Sequence, residues 1–289
     1  MKAPYSVLIP ARNEAANLRA CIASASDAAE VVVVDSGSTD GTPDLARELG
    51  AKVVDFRWDG AFPKKKNWAL ANVPWKYEWV FILDADERIT PELARELAQV
   101  AAEPEAEGYY VNRRFWFLDG WLKHCGYYPS WNLRFFRHAL GRYEQLPGAA
   151  GSDSGDNEVH EHVVLQGRSA RLQSDMDHYA FPTISSWVEK HNRYSNWEAR
   201  VLVSSAASAA AHRANIAADL ARKRRLKHLA GRVPFRPTLR FLYHYVLRAG
   251  FLDGYRGFVF CRLMGFYDFL SVSKASELRR AARRPPGAP

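Results

Sequence analysis

Short aliphatic runs alternate with helix-forming segments over the first 100 residues, and this alternation constrains the fold more than any other feature of the chain. The runs are rich in the β-branched and aromatic residues that favour strands. Strands are predicted at Ser6–Pro10, Glu30–Asp35, Ala51–Phe56 and Trp79–Asp84. Strands that alternate with helices at this spacing form βαβ units, so we expect an α/β fold built on a parallel sheet.

The helices between these strands are predicted from their end signals. The first covers Ala15–Ser26. The second has Thr42 as its predicted cap, Pro43 at its first position and Gly50 just beyond its end. A further helix opens at Thr90-Pro91.

Two of the predicted strands end in a carboxylate, Asp35 and Asp84. The carboxyl ends of parallel strands form the edge at which α/β proteins bind their ligands. The small polar loop SGSTDGT follows Asp35, and the segment PARNE follows the first strand at the same edge. Such loops allow a ligand to approach the backbone closely, but a tight turn before a capped helix has the same composition.

Asp84 and Asp86 form a D-x-D pair directly after a hydrophobic strand. Two carboxylates at this spacing suit a hard divalent cation that also binds phosphates, although many carboxylates at strand ends only cap loops. The run Lys64–Asn67 supplies cations for a phosphate group, and a solvated run of charges is the alternative interpretation.

Composition and charge narrow the class of protein. The chain has 289 residues, 47% of them hydrophobic, so it is too apolar to be disordered. Its three cysteines form no CxxC pair, which argues against a disulfide scaffold or a zinc ribbon and fits a reducing compartment. The N-terminal sequence meets polar residues too early for a signal peptide, and no apolar run is long enough to span a membrane.

The second half differs from the first. Residues 108–180 are rich in aromatic residues and are interpreted as the far edge of the sheet with its loops, whereas the chain beyond Ser185 has helical patterns. Residues 212–289 carry 17 Lys and Arg against 4 Asp and Glu, so this part should meet an anionic partner or present a solvated basic face. We therefore expect a catalytic domain at 1–184, a basic, aromatic helical region at 185–280 and a disordered tail at 281–289.

The chain resembles the family 2 glycosyltransferases, which have the GT-A fold. The motifs that carry the resemblance across residues 4–180 are VLIPARNE, VVVVDSGSTDGT, KKKNWAL and FILDADE. It implies a mixed, mainly parallel sheet flanked by helices, a nucleotide-diphosphate sugar donor and an inverting single displacement. It also implies that Asp35 contacts the base, that Asp84 lies near the ribose and the metal, and that Asp86 binds Mg²⁺ or Mn²⁺ with His178. The residues implied to bind the nucleotide sugar are Pro10, Ala11, Arg12, Glu14, Asp35, Ser36, Lys66, Asn67, Asp84, Ala85 and Arg134.

Three later segments, WNLRFF, NEVHEH and DHY, resemble those of lipopolysaccharide core glucosyltransferases. Inversion needs a carboxylate that takes the proton of the acceptor hydroxyl, and Glu161 is the candidate base. Most of the family has Glu-Asp where this chain has His160-Glu161, so Asp153, Asp156 and Glu158 remain competitors. Arg134 and Arg137 are candidates for binding a phosphate. A zinc site at His160 and His162 is an alternative without an evident third ligand.

Eleven aromatic residues lie between Phe235 and Leu270, with arginines among them. Amphipathic helices of this composition lie in the interface of anionic membranes, and the run Arg222–Lys227 would add to the attraction. The alternatives are packing on the catalytic domain and, less favoured, binding of single-stranded nucleic acid.

The sequence thus predicts a metal-dependent, inverting hexosyltransferase at the cytoplasmic face of the inner membrane. Its donor would be UDP-glucose or a related UDP-sugar, and its acceptor a lipopolysaccharide core or another lipid-linked glycan. A nucleotidyltransferase on a related α/β fold and a non-enzymatic binding protein are the rival interpretations. The sequence leaves the oligomeric state open.

Overall fold

The computed structural model describes residues 2–118, 120–145, 156, 162–181, 183–203 and 235–282. These residues belong to two compact units. The first unit comprises Met1–Trp116, Tyr128–Gln145 and Asp156–Ala180, and the second comprises Phe117–Tyr127, Leu146–Gly155 and Phe181–Pro289.

Within the described residues, a mixed sheet forms the centre of the first unit. Its order is β3-β2-β1-β4-β8-β6-β11-β5, and β9 and β10 form a separate pair. The strands are β1 (Ala3–Ala11), β2 (Ala28–Asp35), β3 (Lys52–Asp55), β4 (Trp79–Ile82), β5 (Glu87–Ile89), β6 (Gly108–Phe117), β7 (Gly120–Trp121), β8 (Trp131–Arg137), β9 (Gly141–Tyr143), β10 (Val163–Leu165) and β11 (Ser169–Phe181).

Strands β3, β2, β1 and β4 are parallel, as the alternation of strands and helices predicts. Strand β8 pairs antiparallel with both β4 and β6, and β5 pairs antiparallel with β11. The register places Ala11 beside Asp35, and Asp35 beside Asp55. The carboxyl ends of β1, β2 and β3 therefore lie at one edge of the sheet.

The valine run of β2 is buried because both faces of the sheet are covered. Val33 belongs to one core cluster, together with Ile9 and Leu18, while Val32 and Val34 belong to the opposite one. A strand that is buried on both faces has a continuous rather than an alternating hydrophobic pattern, as this one has.

The helices of the first unit are α1 (Ala15–Ser24), α2 (Thr42–Glu48), α3 (Lys65–Asn72) and α4 (Pro91–Ala102). Thr90 caps α4 as predicted, because its hydroxyl accepts the N–H of Leu93 at 3.2 Å. The predicted cap of α2 is wrong. Gly41 caps that helix with a φ of 84°, and Thr42 is its first residue. The Thr42 hydroxyl donates to Asp40 and accepts the N–H of Glu14 instead.

Beyond Phe181, the described residues of the second unit are mainly helical, whereas its segment Phe117–Tyr127 contains the short strand β7. The unit contains α5 (Ile184–Val203), α6 (Arg236–Leu242), a π-helical turn (Tyr243–Leu247), a 3-10 turn (Gly250–Asp253) and α7 (Gly254–Ala281). Asp268 of α7 is buried and pairs with Arg236 at 2.8 Å and with Arg240 at 2.9 Å. Within the described residues, no helix combines the length and the apolar character that crossing a bilayer requires.

Candidate active site

The loops that follow β1 and β2 are joined by hydrogen bonds. Asn13 has a φ of 57°, and its side chain accepts the N–H of Thr39 while its own N–H donates to the Ser38 hydroxyl. The Ser36 N–H donates to the carbonyl of Ala11 at 3.2 Å. The predicted nucleotide-binding residues Pro10, Ala11, Arg12, Glu14 and Ser36 therefore lie in two adjoining segments at the carboxyl edge of the sheet.

The buried carboxylate of Asp35 shapes the second of these loops. Its Oδ2 accepts the N–H groups of Gly37 and Ser38, both at 2.9 Å. The Ser38 hydroxyl donates to Oδ1. Asp35 thus fixes a small polar loop beside the end of β1, where the backbone can approach a ligand closely.

The lysine run at the start of α3 is buried, so the alternative of a solvated run of charges is wrong. The Lys65 ammonium donates to the carbonyl of Ala11 at 2.9 Å and pairs with Asp156 at 3.1 Å. Burial lowers the pKa of Lys65. The side chain of Asn67 exchanges two hydrogen bonds of 2.8 Å with the backbone of Tyr143. These contacts join α3 to β1 and β9.

Asp84, at the end of β4, binds two cations. The Lys66 ammonium lies 2.9 Å from Oδ1, and the Arg134 guanidinium lies 2.9 Å from Oδ2. Burial opposes the charged form of Asp84, but Lys66 and Arg134 outweigh it and hold the pKa of this carboxyl well below its usual value. Burial likewise opposes the charged forms of both cations, and the neighbouring carboxylates nevertheless raise their pKa values. All three side chains are therefore charged at neutral pH.

Asp86 and His178, the predicted metal ligands, lie together. His178 Nε2 is 3.6 Å from Asp86 Oδ1, and the Tyr179 N–H donates to the Asp86 carbonyl at 2.8 Å. Among the described residues, no group of three or more His, Cys, Asp or Glu side chains is arranged to hold a metal. The pair supplies one oxygen and one nitrogen donor. It thus fits an ion that takes its other ligands from phosphate and water.

Glu87 belongs to this site, and the sequence reasoning missed its role. It is fully buried, and its carboxylate accepts from Arg134 at 2.7 Å and from the Asp84 N–H at 3.0 Å. The signal available in the sequence was its place directly after the D-x-D pair. Ala85, between the two aspartates, is buried as well.

The other residues predicted to bind phosphate, to act as the base or to bind zinc are not seen in the cluster at the end of β4. Arg137 pairs with Glu78 and faces Trp79 at the start of β4, at the far end of that strand from Asp84. It is therefore not part of the strand-end cluster. Asp156 forms a buried ion pair with Lys65. Asp153, Glu158, His160 and Glu161, which are further candidates for the base or for zinc, lie outside the described residues, as does the basic run Arg222–Lys227. His162, the other residue of the zinc alternative, is described and exposed.

A model of the family described as "Glycosyl transferase family 2" matches residues 6–160, more than half of the chain. The chain belongs to glycosyl transferase family 2. The predicted family and enzyme class are confirmed, and inversion is general to this family. The predicted fold class, an α/β GT-A fold with a mixed sheet flanked by helices and a helical C-terminal extension, is confirmed too.

This family 2 glycosyltransferase is similar to known proteins along nearly its whole length. The lipopolysaccharide core biosynthesis glycosyltransferase LpsC of Rhizobium meliloti (strain 1021) is 29% identical over 299 residues, which cover 98% of this chain and 96% of LpsC. The crystal structure of S. aureus TarS 1–349 in complex with UDP covers 98% of this chain and 91% of that chain, at 15% identity and a TM-score of 0.45.

A shorter likeness concerns glucosyl-3-phosphoglycerate synthase from Mycobacterium tuberculosis, crystallised in complex with Mn²⁺ and UDP-glucose. It covers 39% of this family 2 glycosyltransferase and 44% of the synthase, at 28% identity and a TM-score of 0.32.

Proposed function

We propose that this enzyme transfers a hexose, with glucose as the first candidate, from a UDP-sugar to a lipopolysaccharide core or another lipid-linked glycan. The observation that carries the proposal is the cluster at the end of β4, where two buried cations and the Asp86–His178 pair converge. Such a cluster offers cationic hydrogen-bond donors and a pair of metal donors, the groups that a nucleotide diphosphate needs. The match to LpsC along almost the full length of both chains supports the choice of acceptor.

The chemistry follows from the charges of these residues. Lys66 and Arg134 would stabilise the negative charge that develops on the departing diphosphate. Mg²⁺ or Mn²⁺ held by Asp86 and His178 would neutralise further charge on that leaving group. Glu161, which we assign from its motif, would take the proton of the acceptor hydroxyl as its oxygen attacks the anomeric carbon. Asp35 and the loop after β1 would hold the nucleoside.

The proposal places the enzyme at the cytoplasmic face of the inner membrane, with residues 1–184 as the catalytic part and 185–280 as the part that meets the lipid. An exposed apolar stripe in the second unit supports this location. It consists of Leu239, Leu242, Tyr243, Val246 and Leu247. Their spacing places them on one helical face, as in helices that lie in a membrane interface.

A donor panel tests the function. Purified enzyme is mixed with different nucleotide sugars and either Mn²⁺ or Mg²⁺, and the release of nucleoside diphosphate is measured. We expect a UDP-hexose to be turned over, and Asp86→Ala to reduce the rate by at least ~100-fold, because it removes a metal donor. Asp44→Ala, which removes an exposed carboxylate paired with Arg47, is the matched control and should keep the wild-type rate.

Full activity of Asp86→Ala would refute its assignment as a metal ligand. Turnover of a nucleoside triphosphate with release of pyrophosphate, and of none of the sugars, would instead favour a nucleotidyltransferase.

A further inference from the structure

The side chain and the backbone of Glu87 hold the D-x-D turn from both ends. The Asp84 N–H donates to Glu87 Oε2 at 3.0 Å, and the Glu87 N–H donates to the Asp84 carbonyl at 2.9 Å. The other carboxylate oxygen, Oε1, lies 2.7 Å from Arg134 and 3.4 Å from Arg113. One fully buried side chain therefore joins the turn that carries Asp84 and Asp86 to the guanidinium on β8.

Arg134 retains a spare hydrogen-bond donor in this arrangement. The residue is only 5% exposed, and one of its nitrogens, NH2, serves both Asp84 and Glu87. Its Nε is buried without a hydrogen-bond partner among the described residues. A buried donor that lacks an acceptor is costly, so its presence points to an acceptor that arrives with a ligand.

The chemistry of this donor favours an anionic oxygen as its acceptor. A guanidinium N–H forms charge-assisted hydrogen bonds with phosphate oxygens, and Lys66 places a second cation on the same carboxylate, Asp84. A diphosphate would supply the acceptor oxygen that Nε lacks among the described residues.

We infer that Glu87 is a positioning residue, which holds Arg134 and the D-x-D turn in the geometry that binds the diphosphate of the donor. This inference rests on the proposed function, because it takes the donor to be a UDP-sugar. Glu87 itself is fully buried and acts through Arg134 and Asp84 rather than by touching the substrate.

Two possible roles of Glu87 predict opposite effects of Glu87→Gln on the binding of UDP: one in which only its negative charge matters, and one in which it holds Arg134 and the D-x-D turn in place. Removal of the negative charge alone would make the cluster more positive and strengthen the binding of UDP. Loss of position would weaken it, because the amide nitrogen of glutamine cannot accept a hydrogen bond from Arg134 or from the Asp84 N–H. Glu87→Asp keeps the negative charge but shortens the side chain by one methylene, which moves the carboxylate away from Arg134 and the Asp84 N–H. The positioning role therefore predicts that this variant also binds UDP more weakly.

The experiment compares the binding of UDP with that of uridine by calorimetry, for the wild type, Glu87→Gln and Glu87→Asp. We expect both variants to bind UDP at least ~10-fold more weakly and uridine as well as the wild type does, because uridine has no diphosphate. Glu96→Gln is the matched control, since Glu96 is a glutamate of the same unit whose carboxylate accepts backbone N–H groups, those of Gln173 and Ser174, away from the D-x-D turn. It should bind both ligands normally.

The outcomes separate the inference from the proposed function. A wild type that binds neither ligand refutes the UDP-sugar donor. A wild type that binds UDP, with Glu87→Gln binding it equally or more tightly, refutes the positioning role. Equal weakening of UDP and uridine binding would mean that Glu87 supports only the stability of the unit, and that result also overturns the inference.

Discussion

Single residues in this protein show how far burial determines the role of a charged group. The sequence could not distinguish a solvated run at Lys64–Asn67 from a functional one, because the difference depends on distant partners. The structure supplies them: Asp84 for Lys66, Asp156 for Lys65 and the backbone of Tyr143 for Asn67. In contrast, Asp84 and Asp86 could be identified from the sequence, since a hydrophobic strand that ends in acidic residues is a local pattern.

His191 leads to a prediction about pH and stability. Its buried ring stacks on Trp187 at 3.6 Å, and burial lowers its pKa to about 4. The unfolded chain, in which the pKa is near 6.5, therefore binds more protons between pH 4 and pH 6.5. The contribution of the neutral ring to stability is complete above pH 6.5 and is lost as the pH falls towards 4.

We expect the wild type to lose about 2 kcal/mol more of its unfolding free energy than His191→Phe does between pH 7.5 and pH 5. Urea unfolding of both proteins at the two pH values measures this difference. An identical loss in the two proteins would contradict the assignment of the effect to His191.

Among the secondary-structure elements, the parallel strands β1 to β4 could be predicted from the sequence, but the antiparallel strands that extend the same sheet could not. Continuous aliphatic runs such as the valines of β2 occur in strands that are buried on both faces, so β1 to β4 could be predicted from the sequence. The pairing of β8 between β4 and β6 joins residues far apart in the chain, and no local pattern encodes it. The cap of α4 depends on Thr90 alone and was predicted. Thr42 does not cap α2, because its hydroxyl accepts the N–H of Glu14 from another loop and donates to Asp40.

The start of α7 depends on a close contact between backbones. A Cβ added at Gly257 would lie 2.0 Å from the carbonyl oxygen of Gly250, a distance at which the backbone has to move. We expect Gly257→Ala to destabilise the protein by about 1–3 kcal/mol, as overpacking of a core does.

Thermal unfolding measures the effect of this substitution. Ser273→Ala is the control, since Ser273 is an exposed residue of the same helix and its replacement should change the stability by less than about 0.5 kcal/mol. A Gly257→Ala protein as stable as this control would show that the contact is not tight.

For the whole molecule, the exposed stripe gives the proposed location a direct test. Leu247 is 76% exposed and Leu242 is 44% exposed; Leu242 directly precedes the π-helical turn of the stripe, and Leu247 is the last residue of that turn. We expect the protein to sediment with vesicles that contain an anionic phospholipid, and less with vesicles of neutral lipid, because both apolar burial and charge contribute.

The double substitution Leu242→Asp and Leu247→Asp should reduce this sedimentation by at least ~10-fold and leave the turnover of a soluble donor unchanged. Leu278→Asp alters an exposed leucine of α7 outside the stripe and should sediment normally. Unchanged sedimentation of the double variant would exclude the stripe as the lipid contact, and a shift of single-stranded nucleic acid at the same protein concentration would favour the rival partner.

The Lys65 ammonium connects two parts of the chain that are distant in sequence. One ammonium group binds the last residue of β1, Ala11, and the carboxylate of Asp156, which precedes Glu161 by only five positions. Two parts of the chain that are more than 140 positions apart are therefore tied to a single buried cation. Replacing Lys65 by a shorter, uncharged side chain would release both of them at once.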